Sequence, residues 1–376
     1  MANVYLDNAS TTPVDPEVKK AMEQYFAVSY GNPSSLNKMG IDARKAVEDA
    51  RASVANVLGC RHNEIIFTSG GTESNNLAIQ GAARANKTKG RHVITTTIEH
   101  SSVLNTCKYL ESEGYSVTYL KVNKEGFVDF NELEKAIRKD TILITVGYVN
   151  SEIGTVQDIA SIGAIARKHK VVFHTDACQA AGYLELNVDK LKADLMTLNG
   201  AKIYGPKGVG VLYKRTGVGM KPLFFGGEQE FGLRAGTENV PAIVGFAKAL
   251  ELSEKKKAQE AKRTSDLRDY LIQYLLKMPG TRLNGPRDRV ANNVNVSFSG
   301  IEGESLVLML NDDGFYASTG SACSSRSSEP SYVLTAIGLP YKDARSALRI
   351  TLGRMTTKSD IEGFLRSLKI ALTKIR

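Results

Sequence analysis

Between Pro16 and Leu250, short β-branched runs alternate with longer stretches whose apolar residues recur at helical spacing. Residues 65–68, 92–97, 116–121, 142–148, 171–174, 194–198 and 210–213 read as strands. Helical spacing covers 17–26, 41–58, 73–85, 103–113, 130–139 and 159–168. Strands separated by helices of this length need crossover connections, which lay them side by side in a largely parallel sheet covered on both faces. The expected fold class is α/β, with a large domain over 15–255 built on a mostly parallel seven-stranded sheet flanked by helices.

A Lys/Glu-rich helical run follows at 247–277, whose mixed charges suit a long solvated helix between two bodies. The remainder reads as strand (293–298), helix (305–310), strand, helix, strand (348–351) and closing helix. This predicts a smaller α+β domain of 256–376 joined by residues 1–14. Lys plus Arg number 49 and Asp plus Glu 40, a net charge of +9 spread among residues of both signs. That spread favours solubility or an anionic ligand over a nucleic-acid surface. No run of about 18 apolar residues offers a membrane span, and residues 1–15 lack the features of a signal peptide. Cys60, Cys107, Cys178 and Cys323 are scattered without a C-x-x-C pair, so neither a disulfide framework nor a metal site is expected. These readings together predict a cytoplasmic protein.

Three segments carry chemistry. The run Val171-Val172-Phe173-His174 ends in Thr175-Asp176, and an acid at the carboxyl end of a central parallel strand lies where α/β sheets bind ligands. Asp176 suits a metal, a ribose or a cationic heterocycle, or simply caps the next helix. Lys202 follows a strand and the turn Asn199-Gly200-Ala201; a lysine near apolar walls and a second cation has a lowered pKa and can form a Schiff base. Residues 67–75, Phe-Thr-Ser-Gly-Gly-Thr-Glu-Ser-Asn, run from strand through a Gly-rich turn into a helix whose N-terminus suits a phosphate monoester. The spacing matches neither a dinucleotide fingerprint nor a P-loop. An acid, an amine and a phosphate cradle together are what pyridoxal phosphate needs, for its pyridinium nitrogen, its aldehyde and its phosphate.

The same residues carry a family resemblance that runs essentially end to end. Its motifs are Tyr5 to Pro13, Gly31 to Ser35, Thr68 to Asn75, Glu99-His100, Val149 to Gly154, His174 to Gln179, Lys202 to Gly208, Arg234 to Asn239, and Ser318-Thr319-Gly320-Ser321-Ala322-Cys323 followed by Glu329-Pro330-Ser331. The chain resembles the cysteine desulfurases, class V aminotransferase-like enzymes of the fold-type I pyridoxal-phosphate group. Within that family it is similar to the subgroup with a long loop, about 318–332, around the active cysteine.

The resemblance implies a role for each matching position. Lys202 carries the cofactor and moves protons, Asp176 protonates the ring nitrogen, and His100 stacks on the ring as an acid/base group. Gln179 and Ser151 bond the cofactor's phenolic oxygen, Gly71 and Thr72 hold its phosphate with Asn199 and Ala201 beside it, and Asn150 and Gly200 are further cofactor-binding positions. Thr237 reaches the phosphate of a neighbouring subunit, which implies a homodimer. Asn32 and Arg349 grip the carboxylate of L-cysteine, Arg349 through its two-pronged guanidinium. Cys323, with Arg326 nearby to favour its thiolate, takes the sulfur as a persulfide while alanine leaves. A sulfur-acceptor protein, of iron–sulfur assembly or nucleic-acid thiolation, is the implied partner. Competing readings are a selenocysteine lyase or related β-lyase on the same fold, and a weakly active scaffold protein.

Two positions depart from the family pattern. Ala201 stands where a histidine usually precedes the lysine, and Ser151 where asparagine is usual. Both touch the grip on the cofactor and spare the lysine, the acid and the thiol. Restoring the imidazole by Ala201→His is expected to tighten pyridoxal phosphate binding to the cofactor-free protein by about fivefold, the equivalent of one net hydrogen bond of ~1 kcal/mol. An absorbance titration that returns the same affinity for both proteins overturns this.

Overall fold

In the computed structural model, which describes residues 3–320 and 329–375, the expected sheet is present. Its seven strands lie in the order Ile65–Thr68, Gly210–Lys214, Leu195–Asn199, Val172–Asp176, Thr141–Thr145, His92–Thr96 and Ser116–Leu120. Gly210–Lys214 is antiparallel to both of its neighbours, and every other adjacent pair is parallel. The other six strands therefore end at one edge of the sheet. Side chains alternate between two buried faces, as a doubly covered sheet requires. Ile65, Phe67, Ile94, Phe173, Met196 and Leu198 join one core with Val47, Val54, Leu58 and Phe246. Ile66, Val93, Leu143, Leu195 and Leu212 join the other with Leu77, Ile79, Val103 and Leu110.

A further core, around Val294, Val296, Phe298, Leu348, Ile350, Phe364 and Leu368, lies between a three-stranded antiparallel sheet and helices Gly303–Asp312 and Lys358–Ile375. The helix expected at 247–277 spans Val240–Leu275 instead; Asn239 caps it by accepting from Ala242 N–H, and Pro241 occupies its first turn. Its first half packs into the large core and its last turns into the smaller one. Residues 73–85 are helical as expected, but the run begins at Gly71 and widens to a π-turn over Leu77–Gly81. The helix expected to reach 139 ends at Ala136, and the strand expected to reach 148 ends at Thr145. Two short strands escape the periodicity, Val4–Tyr5 and Thr281–Leu283.

The N-terminal segment crosses between the two bodies. Val4–Tyr5 pairs in parallel with Phe315–Tyr316, Leu6 enters the smaller core, and Asp7 bridges to Thr351. Thr12 then bonds Ala201 and Tyr204 of the large body.

One buried ion pair fixes the loop ahead of the long helix. Arg51 Nη1 and Nη2 donate to the two Glu230 oxygens, each at 2.8 Å, and Phe67 N–H donates to the same carboxylate at 2.8 Å. The side chains are 4% and 2% exposed. Glu230 and Phe231 both take left-handed backbone angles, φ 50° and 60°, a conformation that costs a non-glycine residue and is held here by the pair. Glu230→Ala leaves the buried Arg51 with only the half-exposed Glu48 at 3.2 Å and the Ile65 carbonyl at 2.8 Å, so it is expected to cost about 3 kcal/mol, read as a lower urea midpoint. The double variant Arg51→Met/Glu230→Leu is expected to lose much less.

Candidate active site

The shared strand edge and the turns beyond it enclose a cavity of about 260 Å³. Asp176 ends one strand and Asn199 the next, and Lys202 closes the single turn Gly200–Lys202 that follows. Asp176 Oδ2 accepts from Asn75 Nδ2 at 2.7 Å, and Oδ1 from the backbone N–H of Cys178 at 3.0 Å. The same Asn75 nitrogen donates to Ser102 Oγ at 2.9 Å, which in turn lies 2.8 Å from His100 Nδ1.

His100 caps helix Ser101–Ser112, its Nδ1 accepting the Ser102 backbone N–H at 3.1 Å. A ring nitrogen that accepts carries no proton, so the neutral imidazole holds its proton on Nε2. Burial favours that neutral ring by lowering its pKa, while Asp176 pulls the other way. Lys202 Nζ donates to Ala9 O at 2.7 Å and to Ser10 O at 2.5 Å. Burial draws its ammonium below the usual lysine range, and the Arg349 charge adds to that pull.

A phosphate-sized cradle opens at Gly71. The first helical hydrogen bond there runs from Ser74 N–H to Gly70 O, so the N–H groups of Gly71 and Thr72 precede any intrahelical acceptor. A methyl group on Gly71 would sit 3.0 Å from Cys178 Sγ and 3.5 Å from Asn199 Nδ2. Asn199 Oδ1 accepts from Ala201 N–H, which turns its Nδ2 toward that cradle. Amine, carboxylate and helix N-terminus are the donor set that pyridoxal phosphate requires, and the residues fit it.

Arg349 lies on the smaller sheet, yet its guanidinium reaches this cavity and is 2% exposed. Nη2 donates to Asp7 Oδ1 at 2.7 Å and to Ser10 Oγ at 2.8 Å.

Of the residues singled out from sequence, Gly71, Thr72, His100, Asn150, Ser151, Asp176, Gln179, Asn199, Lys202 and Arg349 line this one cavity. Asn150 does so with its amide committed to its own turn: Oδ1 accepts from Glu152 and Ile153 N–H, and Nδ2 donates to Ile98 O. Gln179 Nε2 donates to Ala9 O at 2.9 Å. Gly200 and Ala201 lie behind the wall, Gly200 against Pro206 and Ala201 against Thr12. Asn32 is exposed outside the cavity, where its Oδ1 accepts Ser34 N–H in the turn between two helices. Thr237 is exposed as well. Cys323 and Arg326 lie outside the described residues. Cys107 is buried and Cys60 partly so, as structural thiols; Cys178, expected only to pack, is buried in the cavity wall. Among the described residues no acidic, His or Cys cluster suited to a metal occurs, and no helix is long and apolar enough to cross a membrane.

Sequence reasoning passed over Asn75, Asp7 and Glu99, although all three stand inside motifs it had singled out. Glu99 is fully buried beside the cavity, with Thr96 Oγ1 at 2.6 Å and Gly147 N–H at 2.8 Å. A methyl group on Gly147 would come within 2.9 Å of its Oε2. Burial pushes its carboxyl up to about 8, and Asp176 adds to the rise against both hydrogen bonds.

The class-V aminotransferase family model matches residues 4–364. The chain belongs to that family. A cysteine desulfurase IscS of Methanosarcina thermophila is 52% identical over 374 residues, covering 99% of this chain and 93% of its own length. A cysteine desulfurase IscS of Dictyoglomus turgidum is 49% identical over 375 residues, covering 99% and 95%. Among solved structures, a NifS-like protein superposes with a TM-score of 0.94 at 37% identity, over 99% of this chain and 100% of that one. SspA, solved in complex with cysteine, gives a TM-score of 0.82 at 38% identity, over 93% and 98%. These likenesses put the chain with the cysteine desulfurases among the class-V pyridoxal-phosphate enzymes.

Glu99 gives the folded chain a pH signature. Its ordinary value is 4.5 and its folded value about 8, so between them the folded chain holds a proton that the unfolded chain has released. Stability then falls as pH rises through that window. Glu99→Gln is expected to flatten the fall: from about pH 5 to about pH 9 the variant's melting temperature should drop less than that of the parent. Parallel slopes overturn this.

Proposed function

We propose that the protein is a pyridoxal-phosphate-dependent cysteine desulfurase. It removes the sulfur of L-cysteine, releases L-alanine, and hands the sulfur from a Cys323 persulfide to an acceptor protein. The reading rests above all on the meeting of Lys202, Asp176, the helix N-terminus at Gly71 and the Arg349 guanidinium in one cavity, in a chain of this family.

When bound, the cofactor supplies a ring that withdraws electrons from the substrate's α-carbon. Lys202 would hold its aldehyde, Asp176 its ring nitrogen, Gln179 and Ser151 its phenolic oxygen, and Gly71, Thr72 and Asn199 its phosphate. The amine of Lys202, its pKa lowered by burial, is a base for the α-proton. His100, neutral with its proton on Nε2, is a donor. Arg349 takes the substrate carboxylate and so orients the thiol end of the cysteine.

Cys323 enters through its motif, and the described residues flanking it are tied to the cavity. Ser318 exchanges backbone bonds with Arg349. On the other side Ser331 Oγ donates to Glu152 Oε2 at 2.5 Å and Tyr332 Oη to Glu99 O at 2.6 Å. The thiolate attacks the substrate sulfur, the carbon–sulfur bond breaks with its electrons left on carbon, and protonation there gives alanine.

The protein works as a homodimer in which Thr237 reaches the partner's phosphate. Phe225 is 87% exposed, Leu36 88% and Tyr30 67%, apolar surface that a second copy would cover. A cytoplasmic setting suits the free thiols. The acceptor belongs to iron–sulfur assembly or nucleic-acid thiolation.

The purified protein, supplied with pyridoxal phosphate, is expected to show a visible band at roughly 390–420 nm. L-cysteine with a reductant should shift the band and yield sulfide and alanine. Cys323→Ala is expected to keep the band and lose sulfide release. Absence of the band under excess cofactor overturns the reading.

A further inference from the structure

We propose that Ser10 is a specificity-determining latch on Arg349, one that the substrate carboxylate must displace in order to bind. The inference rests on the reading of Arg349 as the carboxylate-binding residue.

A guanidinium grips a carboxylate by two parallel bonds in one of two ways. It uses Nη1 with Nη2 from its end, or Nε with Nη2 from its side. Both ways need an N–H of Nη2, and that nitrogen has two. In this structure one goes to Asp7 Oδ1 at 2.7 Å and the other to Ser10 Oγ at 2.8 Å. The remaining donors are under-used. Nη1 makes a long contact of 3.4 Å with Ser151 O, and Nε is buried with no partner among the described residues. The guanidinium has spare donors beside the cavity, yet the nitrogen common to both two-point grips is fully engaged.

An arriving carboxylate therefore exchanges with one of the two acceptors. Asp7 makes the stronger, charge-assisted bond, and its main chain is bridged to Thr351 of the smaller sheet. Ser10 offers a neutral hydroxyl on the cavity wall. Ser10 is the acceptor that yields.

The arrangement has a chemical use. Before an anion arrives, the hydroxyl takes the second Nη2 N–H of a buried cation that Asp7 alone leaves partly unsatisfied. An anion that offers a single point of contact gains too little to replace both the hydroxyl and the second bond. An α-carboxylate, with two oxygens in one plane, gains both and also satisfies Nε. Ser10 thus lowers the affinity for every anion and favours those that bind by two points.

The test uses cofactor-free protein and propionate, which is the product alanine without its amine. Calorimetry on Ser10→Ala is expected to show propionate binding about two- to tenfold tighter than in the parent, the range of one net hydrogen bond. Ser10→Thr, which keeps the hydroxyl, should return to the parent affinity. A hydroxyl that only holds Arg349 in place would give the opposite sign, because its loss would loosen the guanidinium and weaken propionate. Equal or weaker binding by Ser10→Ala, in a protein that melts at the parent temperature, overturns the latch. Arg349→Lys separates the two claims. If it binds propionate as well as the parent does, the carboxylate reading of Arg349 fails and the latch with it. If it loses propionate while Ser10→Ala gains nothing, the latch alone fails. In the loaded enzyme, Ser10→Ala should lower KM for L-cysteine, and an unchanged or higher KM speaks against the latch.

Discussion

Charge taken out of water must be matched by hydrogen bonds or given up as a proton, and the cavity is organised around that necessity. Asp7, Glu99, His100, Asp176, Lys202 and Arg349 crowd into or against one small space. Two solutions alternate within it. Asp176 is matched by Asn75 and the Cys178 N–H, and Arg349 by Asp7 and Ser10. Glu99 and His100 shift toward their uncharged forms, and Lys202 is drawn the same way. The result places a hydrogen-bonded carboxyl group, an imidazole N–H and an amine whose pKa burial lowers within one pocket, the mixture that chemistry at an α-carbon needs.

The fold supplies these groups from three directions. Parallel strands deliver Asp176 and Asn199 at their carboxyl ends, where α/β sheets place ligands because the connections leave a crevice there. The helix starting at Gly71 brings both the cradle and Asn75. The smaller body contributes Arg349, and the first residues of the chain connect it to Lys202 through Ala9 and Ser10. Neither body contains a finished site by itself.

How much of this was legible depends on the range over which each feature is defined. The strands of the large sheet were readable to within a few residues, because burial on both faces writes itself as continuous β-branched runs. Asp176, Lys202 and Gly71 were readable because strand ends and helix starts are local. Asn75 was not: its partner Asp176 lies 101 residues away, and an asparagine inside a helix carries no sign of it. Glu99 acquires its altered carboxyl from burial, with Asp176 adding to the rise, while its hydrogen-bond donor Gly147 lies 48 residues on. Asn239 with Pro241 did mark the start of the long helix, but the Lys/Glu-rich run put the start later, at 247. Val4–Tyr5 and Thr281–Leu283 are too short for periodicity to register. The π-turn at Leu77–Gly81 had no local sign at all.

The Asp7–Arg349 pair joins residues 342 apart in the chain, and this closure has a temporal meaning. During synthesis the residues that steady Lys202 emerge well before their counterpart, which follows only after the large sheet has been made. The large body can acquire its sheet in the meantime, because its strands lie closer together in sequence. Its crevice, however, stays without the Arg349 guanidinium, and residues 7–10 lack the partner that fixes them. The part of the cavity that holds Asp176 and Lys202 and the part that holds Arg349 thereby mature at different moments in the life of the chain, and a product cut short before Arg349 can resemble the folded protein while its cavity lacks one wall.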